Sequence, residues 1–220
     1  MKKCFLLTII GIFYSILSIA QNNKFEIGFA AGPQLSGVYA SSKTISNQNP
    51  SITYNVGLNI QYPISKKWFV RTELDFVQLG TSINWHKFDC NCDYAVDYKE
   101  PKKFVYKDNY FQIPVLIRYK TNGKVSIFFH TGPYWSILLS SKTITHYTDG
   151  SKSKSANKIE HASTLGWIYG TGIQMNVSAR LYIPVELRYQ QNLISDYRQG
   201  LWEEFKYGTI GFNTGLVYRL

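Results

Sequence analysis

Charge is scarce in this chain, and what it lacks narrows its class at once. Only 17% of its 220 residues are charged, whereas a long coiled coil needs about half of its residues from a charged and helix-forming set. Cysteine is rare, with three in the whole chain, so a disulfide-stapled miniature fold is excluded. No segment after residue 20 reaches the roughly 18 consecutive apolar residues of a membrane helix. Acidic residues are few as well: 14 against 24 Lys and Arg, a formal net charge of +10. That balance keeps nucleic acid open as a partner until the charges are located. Rings, by contrast, are abundant, with 17 Tyr, 13 Phe and 5 Trp. A disordered tail is poor in them, and the length fits one folded domain.

The first residues have the form of an export signal. Lys2 and Lys3 precede an apolar run from Phe5 to Leu17, and Ser18-Ile19-Ala20 supplies the small residues a signal peptidase reads. Residues 1–20 are therefore expected to be a cleaved signal peptide and residues 21–220 the mature domain. Loss of Lys2 and Lys3 lowers the net charge to +8. Cys90 and Cys92 then lie in an oxidising space, where a disulfide, free thiols or a metal site are the readings; so small a ring would be strained.

Apolar residues alternate in eight stretches: Phe25–Phe29, Tyr54–Tyr62, Val70–Phe76, Phe111–Tyr119, Val125–Phe129, Leu165–Ile173, Leu181–Tyr189 and Ile210–Leu220. A period of two marks a strand with two unlike faces. Three connections are short: Pro63 to Trp68, Lys120 to Lys124, and Asn176 to Arg180. Four are long, near 36–51, 82–109, 137–163 and 192–207, and residues 150–158 are the most flexible by composition. Short turns at one end and long loops at the other predict an all-β, eight-stranded antiparallel up-and-down barrel, with periplasmic turns and four long extracellular loops.

The non-aromatic face decides which side is inside. It carries many glycines and four basic residues, Arg71, Arg118, Arg180 and Arg188, against four acids, Glu26, Glu73, Asp75 and Glu186. Facing lipid, each Arg near the midplane would cost about 2–4 kcal/mol. Matched charges separated by small residues suit a narrow lumen, where charges must be paired and bulk limited. The aromatic face then meets lipid, and Tyr62, Trp68 and Tyr119 at one rim with Trp135 and Trp167 at the other form the two girdles.

The segments Glu73 to Gly80, Tyr110 to Tyr119, Gly132-Pro133-Tyr134, Gly170-Thr171-Gly172 and Leu187-Arg188-Tyr189 resemble the PorT-type outer-membrane β-barrel domain of Bacteroidetes. The terminal Gly215 to Leu220 is similar to that family's closing strand, although it ends in Leu rather than in an aromatic residue. The resemblance covers residues 24–220. It implies outer-membrane localisation, and one type of relative serves type IX protein secretion or gliding.

Chemical motifs are thin. His161-Ala162-Ser163 resembles the His-x-Ser pair of lipid A deacylase barrels, but the acidic partner position falls near Met175, where there is no carboxylate. His130 is expected in the lumen beside Phe128 and Tyr134, as a structural rather than catalytic residue. The Cys90–Cys92 segment departs from the usual zinc spacing. Neither catalytic residue, cofactor nor metal is therefore expected. The leading function is non-enzymatic, a structural or surface-interaction role through the long loops, with a secretion-machinery component and a lipid-modifying enzyme as rivals. Expected partners are outer-membrane lipid and lipopolysaccharide, the barrel assembly machinery and secretion proteins. The outer loops sum to only +2, whereas Lys66, Lys67, Lys120, Lys124, Lys24, Arg180 and Arg219 gather at the periplasmic rim. That placement suits anionic headgroups, and no nucleic-acid partner is expected.

Overall fold

In a computed structural model, residues 25–40, 48–84, 101–156, 163–194, 196–197 and 204–220 are described. The strands are β1 (Glu26–Ala40), β2 (Gln48–Pro63), β3 (Trp68–Asn84), β4 (Pro101–Lys120), β5 (Val125–Tyr147), β6 (Lys152–Ala156), β7 (Ser163–Asn176), β8 (Leu181–Asn192), β9 (Asp196–Tyr197) and β10 (Glu204–Arg219). Each pairs antiparallel with its neighbour in the order β1-β2-β3-β4-β5-β7-β8-β10, and β10 pairs back onto β1. Eight strands thus close an up-and-down ring; β6 and β9 are short additions alongside β5 and β10. The seam runs from Glu26 opposite Arg219 to Ala40 opposite Phe205, so among the described residues the ring has no open edge.

The alternation read from the sequence matches the burial. On the outer wall, Phe29, Leu58, Val115, Leu187 and Phe212 are each about half exposed. Their strand neighbours Gly28, Asn59, Leu116, Arg188 and Asn213 are buried. A continuous apolar wall on the outside with a polar interior is stable only in lipid, where burying apolar surface no longer requires it to face inward.

The short turns cap one end of the ring. Ser65 and Ser178 repeat a device: each hydroxyl accepts hydrogen bonds from the backbone N–H groups two and three residues on, Lys67 and Trp68 in one case, Arg180 and Leu181 in the other. In the third turn Gly123 has φ of 142°, which L-residues rarely adopt.

The opposite end departs from the expected loops. Strands of 20 and 23 residues, β4 and β5, far exceed the roughly 9–11 that cross a bilayer. β5 leaves β7 at Ile137 opposite Ser163 but runs on to Tyr147, still paired with β4. β3 follows β4 out to Asn84 opposite Lys103, and β6 flanks β5. Much of the segments 82–109 and 137–163 is thus ordered strand rather than loop, and residues 152–156, within the stretch expected to be most flexible, form β6. The projecting sheet extends roughly 30 Å along its strands at about 3.3 Å per residue. Leu139, opposed by no β4 residue, is the bulge at its base.

Candidate functional site

β3 and β8 stand four places apart in a ring of eight, on opposite walls of the lumen. A period of two puts Arg71, Glu73 and Asp75 on the inner face of β3, and Glu186 and Arg188 on the inner face of β8. The walls are bridged across the middle. Arg188 binds Glu73 in a two-pronged pair, Nη1 to Oε2 at 2.8 Å and Nη2 to Oε1 at 2.9 Å. Its Nε reaches Glu186 Oε1 at 2.6 Å, and Nη1 lies 3.4 Å from Asp75 Oδ2. Arg71 joins the same carboxylates, with Nε 2.5 Å from Glu73 Oε1 and Nη1 3.6 Å from Glu186 Oε2. His130 Nε2 is 3.4 Å from Glu186 Oε1, and its ring stacks on Phe128 at 5.9 Å. All of these side chains are buried.

Glycine makes room for this cluster. Arg188 is flanked in the ladder by Gly170 and Gly211, Glu186 by Gly172, and Asp75 by Gly57. A side-chain carbon at Gly57 would collide with the Asp75 carboxylate, and one at Gly170 with the His130 ring.

Arg118 departs from the charge-matching expectation. Among the described residues no carboxylate bonds it; Nη1 donates to Gln61 Oε1 at 2.6 Å, Nη2 to Gln174 Oε1 at 3.3 Å, and the guanidinium lies over the Phe128 ring at 3.9 Å. A second tier lies below it, at the short-turn end. Tyr182 donates to Glu26 Oε2 at 2.6 Å and accepts from Gln61 Nε2 at 2.8 Å. Arg219 Nε and Lys120 Nζ reach Glu26 Oε1 at 3.2 and 3.6 Å. Tyr182→Phe is expected to cost about 1–2 kcal/mol, because it leaves two buried partners short of a hydrogen bond. Urea titration of the barrel in lipid vesicles measures it, and an unchanged midpoint would count against the tier.

Two sequence expectations are corrected here. Arg180 lies on an exposed turn, where Nη1 donates to Tyr218 Oη at 3.2 Å; it is not a lumen charge. Arg219 and Lys120, expected to meet headgroups, turn inward to Glu26 instead. Proximity to the rim does not say which way a long side chain folds, and a buried carboxylate attracts the nearest cations.

Among the aromatic residues, Trp68 packs edge-on against Tyr119 at 5.1 Å and Tyr62 against Phe25 at 5.1 Å, all at the short-turn end. At the other end Trp135 is 43% exposed on the outer wall, and Trp167 Nε1 donates to Thr131 Oγ1 at 2.7 Å. Cys90, Cys92 and His161 fall outside the described residues, and Ser163 is exposed at the start of β7. Two interior features were missed by the sequence reading. Tyr207 donates to Asp108 Oδ2 at 2.6 Å, and Val77, Leu79, Tyr110 and Tyr207 pack as an apolar plug above the charges. By sequence Asp108 belongs to the long connection 82–109, and only the unbroken alternation from Gln112 back through Tyr110 signals its face.

A water-filled channel leaves its lining exposed. Here Arg71, Arg118, Tyr110, Tyr182, Tyr207 and Phe128 are each less than 2% exposed, so packed side chains close the ring at three levels. The same enclosure bears on catalysis, because an acid or base must reach its substrate. Among the described residues no group of three or more His, Cys, Asp or Glu could hold a metal ion.

A family model described as "Outer membrane protein beta-barrel domain" matches residues 19–197. No curated protein matches the chain. Among solved structures, OprG of Pseudomonas aeruginosa is 13% identical, with 90% of this chain and 96% of that one covered at a TM-score of 0.49. Neisserial surface protein A is 14% identical over 87% and 95%, at 0.44. The attachment invasion locus protein Ail of Yersinia pestis, in complex with the heparin analogue sucrose octasulfate, is 16% identical over 90% and 99%, at 0.42.

Proposed function

Because the chain belongs to the outer membrane protein beta-barrel domain family, and so resides in the outer membrane, we propose that it is a non-enzymatic barrel whose working part is its extracellular end. The observation that carries this reading is the contrast between the two halves. The lumen is filled and sealed, while β3, β4, β5 and β6 continue as an ordered sheet far above the ring. A sheet that contributes nothing to ring closure is costly to order unless it meets something outside. The test is to trim β4 and β5 to the ring, replacing residues 103–109 and 139–146 and the intervening connections by short turns. The trimmed barrel is expected to fold while losing the surface adhesion or envelope phenotype of the full chain; full retention of that phenotype would sink the reading.

The sealed lumen also bears on transport. In planar bilayers the protein is expected to show no discrete single-channel conductance, and stable unitary steps would contradict the packing described for the ring. A second reading is favoured by the PorT-like segments, of which Tyr110 to Tyr119 is the longest. On it the barrel is a component of a type IX secretion or gliding machine. Affinity isolation from native outer membranes would then recover other secretion proteins, and a deletion strain would retain cargo.

A further inference from the structure

One face of the projecting sheet continues the lipid-facing wall, and two separate segments combine there. Residues opposite each other in adjacent antiparallel strands share a face, so the register fixes which side chains lie together. The row just above the apolar band is neutral: Gln78 Nε2 donates to Asn109 Oδ1 at 3.0 Å, and Asn109 Nδ2 to Ser140 Oγ at 2.9 Å. In the next row Lys107 on β4 stands directly opposite Lys142 on β5. Then Val105 faces Ile144, and Ile144 faces Lys154 on β6; finally Lys103, His146 and Lys152 line up across three strands. The β3 residues completing these rows are Gly80, Ser82 and Asn84.

No described carboxylate stands in these rows. Asp108 has the opposite parity and is buried against Tyr207, while Asp149 accepts the Ser151 N–H in the β5–β6 turn. None of the five lysines enters an ion pair among the described residues. Like charges set directly opposite each other destabilise a sheet, so a free-standing strand pair gains nothing from Lys107 against Lys142. An anionic partner reverses that sign.

Position selects the partner. The same outward parity carries Phe111, Ile113 and Val115 on β4, so the basic face looks sideways over the surrounding lipid rather than up toward the medium. Lys107 is four residues beyond Phe111, about 13 Å along a strand, or about 10 Å in height at a tilt near 40°. That is just above the hydrocarbon, where lipid headgroups lie.

We propose that this wall binds the phosphate groups of a multiply phosphorylated glycolipid of the outer leaflet, of the lipid A type, whose acyl chains lie against the apolar band below. The ammonium groups of Lys103, Lys107, Lys142, Lys152 and Lys154 supply point charges for the phosphates, and His146 adds a hydrogen-bond donor. The proposal requires the barrel to be in the outer membrane but is independent of any partner at the sheet's tip.

The test is native mass spectrometry of the full barrel in detergent, titrated with bisphosphorylated lipid A or its fully dephosphorylated counterpart. Wild type is expected to retain the phosphorylated form selectively. At about fivefold per lysine near an anionic surface, replacing all five by Gln should weaken retention at least about a hundredfold. Lys66→Gln/Lys67→Gln at the other rim should leave it unchanged. Heat-modifiable mobility reports folding, and Lys107→Gln/Lys142→Gln is read alone if the fivefold variant does not fold. Equal retention by the Gln variants, or of dephosphorylated lipid by wild type, would overturn the proposal. So would lysine-dependent binding of soluble dextran sulfate without retention of lipid A, which would mark a site for polymers from the medium.

Discussion

Arg188→Ala is expected to destabilise the barrel by about 3–5 kcal/mol, the cost of removing one partner from a buried ionic cluster. The size follows from the contacts. One guanidinium holds Glu73 with two hydrogen bonds and Glu186 with a third, and lies 3.4 Å from Asp75. Its loss leaves Arg71 as the only other arginine within ion-pair distance of Glu73 and Glu186 among the described residues. Three carboxylates stay buried, with far less to offset their desolvation. Arg188→Lys should recover only part of the loss, because a single ammonium cannot reproduce the fork. Urea unfolding from lipid vesicles, followed by tryptophan fluorescence, measures the difference. The Arg188→Ala/Glu73→Ala double variant should show coupling, with a combined loss well below the sum of the single ones. A loss under about 1 kcal/mol in Arg188→Ala would mean that the cluster is solvated and the lumen not sealed as described.

Gly32→Val combined with Gly215→Val is expected to block closure of the ring. These residues lie on the two strands that meet last around the circle, β1 and β10. A side-chain carbon at Gly32 would run into the Phe212 carbonyl oxygen, and one at Gly215 into the Phe29 carbonyl oxygen. Both obstacles are backbone atoms held in the ladder and cannot rotate away. Overpacking costs about 1–3 kcal/mol per site, so at the wild type's urea midpoint the two sites together should lower the ratio of folded to unfolded barrel at least about tenfold. The readout is the share of refolded protein that migrates in the compact, heat-modifiable form. Gly37→Ala is the control: on the same strand as Gly32, its added carbon meets only Pro50, Cβ at 3.7 Å and Cα at 3.9 Å. If the double valine variant folds as well as the control, the seam tolerates side chains there and the close approach is not limiting.

Much of this architecture was legible in the chain because its physical cause is local. Residues such as Leu58 and Asn59, or Leu187 and Arg188, differ in polarity at adjacent positions, and a strand must send them to opposite faces. The cost of arginine in lipid then assigned the faces, so Arg71 and Arg188 could be placed in the lumen before any partner was known. Arg180 shows the boundary of that reasoning. It continues the alternation of Tyr182, Pro184 and Glu186, yet the turn takes it into solvent, and alternation carries no information about where a strand stops.

The extent of the strands was hidden for a related reason. Lys102, Lys103, Lys107, Lys142, Lys152 and Lys154 look like loop composition, and period two is faint where both faces are polar. Partners across a sheet supply the order there: β4 lengthens because β3 and β5 lengthen beside it, each satisfying the other's backbone groups.

By itself, then, the sequence determined the strand period, the inward and outward faces and the ring of eight, since each rests on neighbouring residues and on the solvent they tolerate. Only the tertiary structure decided which charges meet. Glu73 and Arg188 are 115 residues apart yet bond across the lumen, and Glu26 draws in Arg219 from a distance of 193. The lysines of two segments combine into one basic face, although those of the first segment cancel against its own acids when its charge is summed alone. Ring closure and register bring these groups together, and a local pattern holds no record of either.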